Sequence, residues 1–249
     1  MMNKSLRRLG ALAGRNLREI LRDPLSLIFL LAMPLAMLFL FYYAFHELTP
    51  QFEMKYLAPG LVVFSQSFLT LFTGLIISVD RGTDYLTRLY VTPARSYEFV
   101  LSYLTAMLPV SLLQSVVFFA VAGIVDPSFF SVHLLIAAPA SLVSAVLFIG
   151  FGLLLGSLCG EKAIGGVASI IIAGQSMLSG MWFPLEGLSD GFIGFMNALP
   201  FRPAAQWLTG VTSGAGDADW VRHLLILLGY TVVITAAGIL VFARQRRKQ

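Results

Sequence analysis

The chain has 249 residues, 57% of them hydrophobic and 12% charged, with a mean hydropathy of +0.82, which excludes a soluble globular domain. A net charge of +4 and a pI of about 9.4 could suggest nucleic acid, but the charges cluster at the ends of apolar runs, and no nucleic-acid partner is expected. One cysteine, Cys159, excludes an intramolecular disulfide and any cysteine-based metal cluster.

Residues 5–22 read as a basic amphipathic helix. Leu6, Leu9, Ala13, Leu17, Ile20 and Leu21 recur at helical spacing, while Arg8, Arg15, Arg18 and Arg22 fall on the other side. Such a helix lies flat in a membrane interface with its arginines among anionic head groups; the alternative is a merely positive tail. Asp23-Pro24 breaks it and turns the chain. The first apolar run is too long for a signal h-region and has no small-residue cleavage site behind it, so no cleaved leader is expected.

Six apolar runs follow, at about 26–45, 57–79, 99–125, 134–158, 163–182 and 223–243, and none contains Asp, Glu, Lys or Arg. Crossing a bilayer core takes roughly 20 residues, and a central charge costs roughly 2.5–3.5 kcal/mol on insertion scales. The expected fold is an all-α integral membrane protein, a single domain over 1–249 with six transmembrane helices and an N-terminal interfacial elbow helix. Pro34 and Pro109 should kink their helices locally. With both termini in the cytoplasm, 14 of the 17 Lys and Arg face inward, and only Lys55, Arg202 and Arg222 lie outside.

Between the second and third runs lies segment 80–98, DRGTDYLTRLYVTPARSYE. Thr83 is placed to cap a short helix, Asp84 and Arg88 stand four apart in acid-then-base order, and Leu86, Leu89 and Tyr90 form an apolar edge. Pro93 ends it, because Thr92 before a proline is pushed out of the helical region. A short amphipathic helix on the cytoplasmic surface suits a groove on a partner, although it could equally be a solvated connection.

Residues 183–222 make a longer outer segment. Leu185, Leu188, Phe192, Phe195, Met196 and Leu199 recur at helical spacing up to Pro200, and a second short helix is expected from Pro203 through Trp207 and Leu208. Neither is long enough to span. Both are expected as re-entrant helices in the outer leaflet, with Trp182, Trp207 and Trp220 at interface depth.

Arg81-Gly82-Thr83, then Leu86, Arg88 and Leu89, then Val91-Thr92-Pro93-Ala94-Arg95, resemble the cytoplasmic coupling segment of ABC type-2 exporter permeases. In that family a run like E-R-G-T-x-x-x-L-x-x-T-P-x-x-x-x-E lies between the second and third spans. Asp80 stands where the family usually has Glu, and Tyr85 where it usually has Leu. Ser179-Gly180-Met181-Trp182-Phe183-Pro184-Leu185 resembles the family's S-G-x-x-F-P-x, and Asn197-Ala198-Leu199-Pro200 is a looser version of its Asn-Pro. With the elbow helix, which these permeases share, the resemblance covers essentially the whole chain. It implies a multi-pass protein of a bacterial inner (cytoplasmic) membrane that works with an ABC ATPase subunit and a second copy of itself or a related permease. It further implies ATPase coupling through Arg81, Thr83, Asp84, Leu86, Arg88, Leu89 and Pro93.

No P-loop exists. The nearest string, Gly156 to Lys162, has the wrong glycine spacing and no Ser or Thr after the lysine. The chain is therefore expected to bind no cofactor and to be no enzyme, with ATP and Mg held by the partner ATPase. His46, His133 and His223 lie at run ends, and Gly174-Gln175-Ser176 lacks the second glycine of a nucleophile elbow. That argues against a membrane-embedded lipid enzyme, and the ordered cytoplasmic motif argues against an ATP-independent transporter.

Uncharged polar residues form a pattern within the runs. Ser67, Thr70, Gly74 and Ser78 share one face of the second, with Gln66 and Thr73 beside it, and Gln114 and Gln175 lie in the third and fifth. Gln66, Ser67, Thr70, Ser78, Gln114 and Gln175 either line a mildly polar substrate path or make helix–helix hydrogen bonds worth about 0.6 kcal/mol each. Gly152, Gly156 and Gly160, and likewise Gly165, Ser169 and Ala173, read as packing stripes. The expected cargo is a hydrophobic or amphipathic drug, antibiotic or peptide; the alternative is a polysaccharide or lipid-linked glycan.

Overall fold

The computed structural model describes the backbone of residues 2–83, 96–182, 185, 187–214 and 218–246. Among the described residues there are ten α-helices and no strand. They are α1 (Met2–Leu21), α2 (Pro24–Phe45), α3 (Met54–Gly82), α4 (Ser96–Val125), α5 (His133–Ala140), α6 (Leu142–Leu158), α7 (Glu161–Leu178), α8 (Asp190–Ala198), α9 (Phe201–Ser213) and α10 (Ala218–Arg246).

Four stretches are long and apolar enough to cross a membrane: Met54–Gly82, Tyr97–Val125, His133–Leu158 and Asp219–Arg244. They correspond to the second, third, fourth and sixth expected runs. The first is represented by α2, in which Leu30–Phe45 is a shorter apolar helix. The fifth is the clearest departure. Helix α7 has 18 residues, about 27 Å at the usual rise per residue, and its first two are Glu161 and Lys162. It ends at Leu178, before the expected limit at 182, because Gly180 turns the chain at φ +73. The fourth run is also not one continuous helix. It breaks at Ser141, next to Pro139, which has no N–H to give to the carbonyl four residues back and crowds it sterically.

Helix α3 is the centre of the packing. It meets α2, α4, α6, α7 and α9, and Leu57, Leu61, Val62, Val63, Leu69 and Ile77 on it are fully buried. Its crossing with α6 is backbone-close because three glycines meet there. A methyl group on Gly156 would lie 2.6 Å from the Gly74 carbonyl oxygen and 2.9 Å from its Cα, and one on Gly152 would lie 2.8 Å from the Thr70 carbonyl oxygen. Small residues permit this approach, and dispersion contacts between the backbones follow from it. The expected stripes hold only in part, since Gly160 and Gly165 have open space where a side chain would go.

The two short helices of the outer segment are both present, the first starting later than expected, at Asp190, and the second slightly earlier, at Phe201. Ser189 caps α8 by accepting a hydrogen bond from the Phe192 N–H. Only Met196 of α8 is buried, and Phe192 and Phe195 stay exposed. Helix α9 packs on α3, α5 and α10, stacks Trp207 on Trp220 with ring centroids 5.0 Å apart, and ends at Gly214 in the left-handed conformation.

The glycine crossing makes a direct prediction. G156A should lower stability by about 1–3 kcal/mol, because the added methyl meets backbone that cannot swing away. G10A, on an exposed part of α1 with open space around it, should be neutral or raise stability by up to about 1 kcal/mol. Thermal unfolding of both variants in detergent compares the two.

Candidate functional site

Segment 80–98 is flanked by two carboxylates, Asp80 at the end of α3 and Glu98 in the first turn of α4, each only 2% exposed. Buried carboxylates need partners, and the N-terminal helix supplies them. Arg15 grips Asp80 with both guanidinium nitrogens, Nη1 at 2.8 Å from Oδ2 and Nη2 at 3.0 Å from Oδ1. The Tyr103 hydroxyl donates to Asp80 Oδ2 at 2.6 Å. One residue along α1, Asn16 donates from Nδ2 to the Ser102 hydroxyl at 3.1 Å, and near its start the Ser5 hydroxyl donates to Glu98 Oε1. Helix α1 thus bridges both flanks of the segment.

The bidentate fork suits Arg and a carboxylate better than any lysine pairing. Glu19, four residues on, also pairs with Arg15 at 2.9 Å. Burial raises the Glu19 carboxyl above its ordinary range, the Arg15 charge opposes that, and Asp80 adds to it.

This arrangement revises the expectation for α1. Arg15, read as a head-group contact, turns inward instead, and α1 packs on α4 and α2, with Ala13 and Asn16 buried and Leu12, Leu17 and Ile20 against the core. Leu6 and Leu21 remain exposed. The sequence did carry a signal for the inward contact. Asn16 stands three residues after Ala13 and four before Ile20, so it interrupts the apolar face.

Of the expected coupling residues, Arg81 and Thr83 are described; Asp84, Leu86, Arg88, Leu89 and Pro93 lie outside the described residues. Arg81 reaches sideways to the end of α6, where its Nη1 donates to the carbonyls of Gly156 at 2.8 Å, Ser157, and Cys159 at 3.4 Å. Those carbonyls have no intrahelical partner, and a cation there also meets the negative end of the helix dipole. Thr83, expected to open a new helix, closes α3: its N–H donates to the Val79 carbonyl and its hydroxyl to the Asp80 carbonyl at 3.1 Å. Helix α3 outlasts its apolar run for this reason, since Asp80 and Arg81 both find partners while still helical.

The expected path residues are all buried within this one chain. Gln66 is the hub of a polar cluster at the α5–α6 break. Its amide nitrogen donates to the hydroxyls of Ser111 and Ser115, both at 3.3 Å, and to the Ser141 carbonyl at 3.1 Å; its oxygen accepts from Ser144 at 2.6 Å. Thr70 donates to the Phe148 carbonyl at 3.0 Å, Gln114 to the Leu30 carbonyl at 3.2 Å, and Ser67 and Ser78 to carbonyls of their own helix. Gln175 differs. It is completely buried, and neither its amide nitrogen nor its oxygen has a partner. Among the described residues no group of three or more His, Cys, Asp or Glu could hold a metal.

A bundle of long apolar helices with its charged residues kept to the helix ends and connecting segments defines an integral membrane protein. The ABC-2 type transporter family matches residues 7–212, and the chain belongs to that family. It is thus a multi-pass membrane protein and the permease component of an ABC transporter. Comparison with curated proteins finds no match.

The Arg15–Asp80 pair can be weighed by a double-mutant cycle. D80N should cost about 1–3 kcal/mol, toward the low end because Arg15 keeps 32% of its side chain exposed. R15M/D80N should lose less than the sum of the single losses, and thermal unfolding of the four proteins measures the difference.

Proposed function

We propose that this chain is the transmembrane subunit of an ATP-driven exporter. In this reading it crosses the cytoplasmic membrane six times, with α7 as a short fifth span and both termini inside. Two copies, or one copy and a related permease, enclose the substrate path. A separate ABC ATPase docks beneath and holds the ATP and Mg.

The observation that carries the proposal is the bridge from α1 to both flanks of segment 80–98, through Asp80 and Glu98. A force applied to that segment enters α3 through Asp80, α4 through Glu98, α1 through Arg15, and α6 through Arg81. ATP-driven closure of the ATPases presses on the segment, and contacts that differ between open and closed ATPases tilt the helices. Asp84 and Arg88 would fix polar register with the ATPase, and Leu86 and Leu89 would fill its groove. Arg81 and Thr83 would anchor the segment from within, and Pro93 would end it.

The cargo is a hydrophobic or amphipathic molecule, such as a drug, an antibiotic or a peptide. Charge-free apolar runs and short outer helices support that choice. Of the six expected path residues, Gln175 is the one with both polar side-chain atoms unspent, and because it is buried within the chain it would meet cargo only when helices of this chain move apart.

Two variants separate docking from transmission. L86D/L89D should abolish co-purification of the ATPase and all transport while leaving membrane insertion intact. R15M should retain the ATPase and its hydrolysis but lower transport tenfold or more. Normal transport by L86D/L89D would overturn the coupling role of the segment.

A further inference from the structure

A second polar site lies at the other end of the bundle, away from the coupling segment. Helix α9 and the start of α10 border a cavity of about 280 Å³, lined by Asn197, Arg202, Gln206, Asp219, Arg222 and His223, among others. Its notable feature is Arg202. Two of its guanidinium nitrogens, Nε and Nη1, are shielded from solvent and have no hydrogen-bond partner. Among the described residues no carboxylate forms an ion pair with it, and burial alone lowers its pKa, with no neighbouring charge acting against that. Asp219, the acid in the lining, is solvent-exposed and forms no ion pair with it.

A half-buried arginine whose shielded nitrogens lack an anion is costly, because the desolvated part of the charge goes uncompensated. An arginine left in this state points to a partner supplied from outside. Around it stand a second arginine, a histidine and the side-chain amides of Gln206 and Asn197, all able to donate to oxygen. The planar guanidinium fork matches the oxygens of a phosphate, and Arg is the residue most suited to that pairing.

We propose that this cavity binds a phosphate group, held by Arg202 from within and by Arg222 and His223 at its rim. The phosphate belongs either to the head group of a membrane lipid or to a soluble anion. Exposed apolar side chains on the neighbouring helices, Phe192 and Phe195 on α8 and Val221 and Leu225 on α10, offer a surface for acyl chains beside the cavity.

The test uses the full-length permease in neutral detergent at constant ionic strength, followed by thermal unfolding. The probes are inorganic phosphate, short-chain phosphatidylglycerol, and diacylglycerol of the same chain length as the phosphate-free control. Saturating phosphatidylglycerol should raise the midpoint by about 5 °C or more, and diacylglycerol should not. A matching rise with inorganic phosphate identifies a soluble anion as sufficient; a rise with the phospholipid alone assigns the site to a head group. R202Q and R222Q should each lose most of the rise, and R222Q carries the test if R202Q does not fold. No rise with either phosphate source, an equal rise with diacylglycerol, or a wild-type response in R222Q would overturn the proposal.

Discussion

Two carboxylates, Asp80 and Glu98, are taken out of water where the central helix α3 ends and where α4 begins, and such groups are stable there only with matched donors. Arg15, Tyr103 and Ser5 provide them. The N-terminal helix is therefore part of the bundle rather than an accessory lying beside it. Its place is set by hydrogen bonds with fixed directions, whereas apolar packing against α4 alone would leave it free to slide.

That polar collar sits on a bundle whose own parts are tightly tied. The meeting of Gly74 with Gly152 and Gly156 brings α3 and α6 to backbone contact, and Arg81 then joins the same two helices at their ends. A glycine crossing and a guanidinium cap a short distance apart make α3 and α6 a stiff pair. Movement in this chain is more easily placed between that pair and the elements that touch it with side chains alone.

Much of the fold was legible in the sequence because apolar length is a strong signal. The second, third, fourth and sixth runs reappear as helical stretches of spanning length, the fourth broken at Ser141. What escaped was set by partners distant in sequence. The end of α3 moved from Val79 to Gly82 because Asp80 and Arg81 are paired across the structure, which local helix-stop rules do not see. The inward turn of Arg15 was hidden by the usual equation of surface arginines with head groups; Asn16 on the apolar face was the available clue. Helix α7 fell short because Glu161 and Lys162 belong to its first turn and Gly180 stops the chain after its last. Among the polar residues of the runs, spacing located Gln66 and Thr70 on α3 but gave no means of telling a hydrogen bond to the next helix from a wall facing a path.

The serines around Gln66 have a consequence for how the helices slide. Ser115 reaches both Ser141 and the carbonyl of Ser111 on its own helix, Ser141 reaches the Ala138 carbonyl, and Ser144 has both Gln66 and the Ser141 carbonyl within range. A hydroxyl carries one proton and rotates freely, so each of these groups has a fallback acceptor nearby. Helix α4 can change register by a small step against the α3–α6 pair without stranding a donor in the dry interior. The cluster behaves as a lubricated bearing, in which only the Gln66 amide has to find new partners as the helices shift.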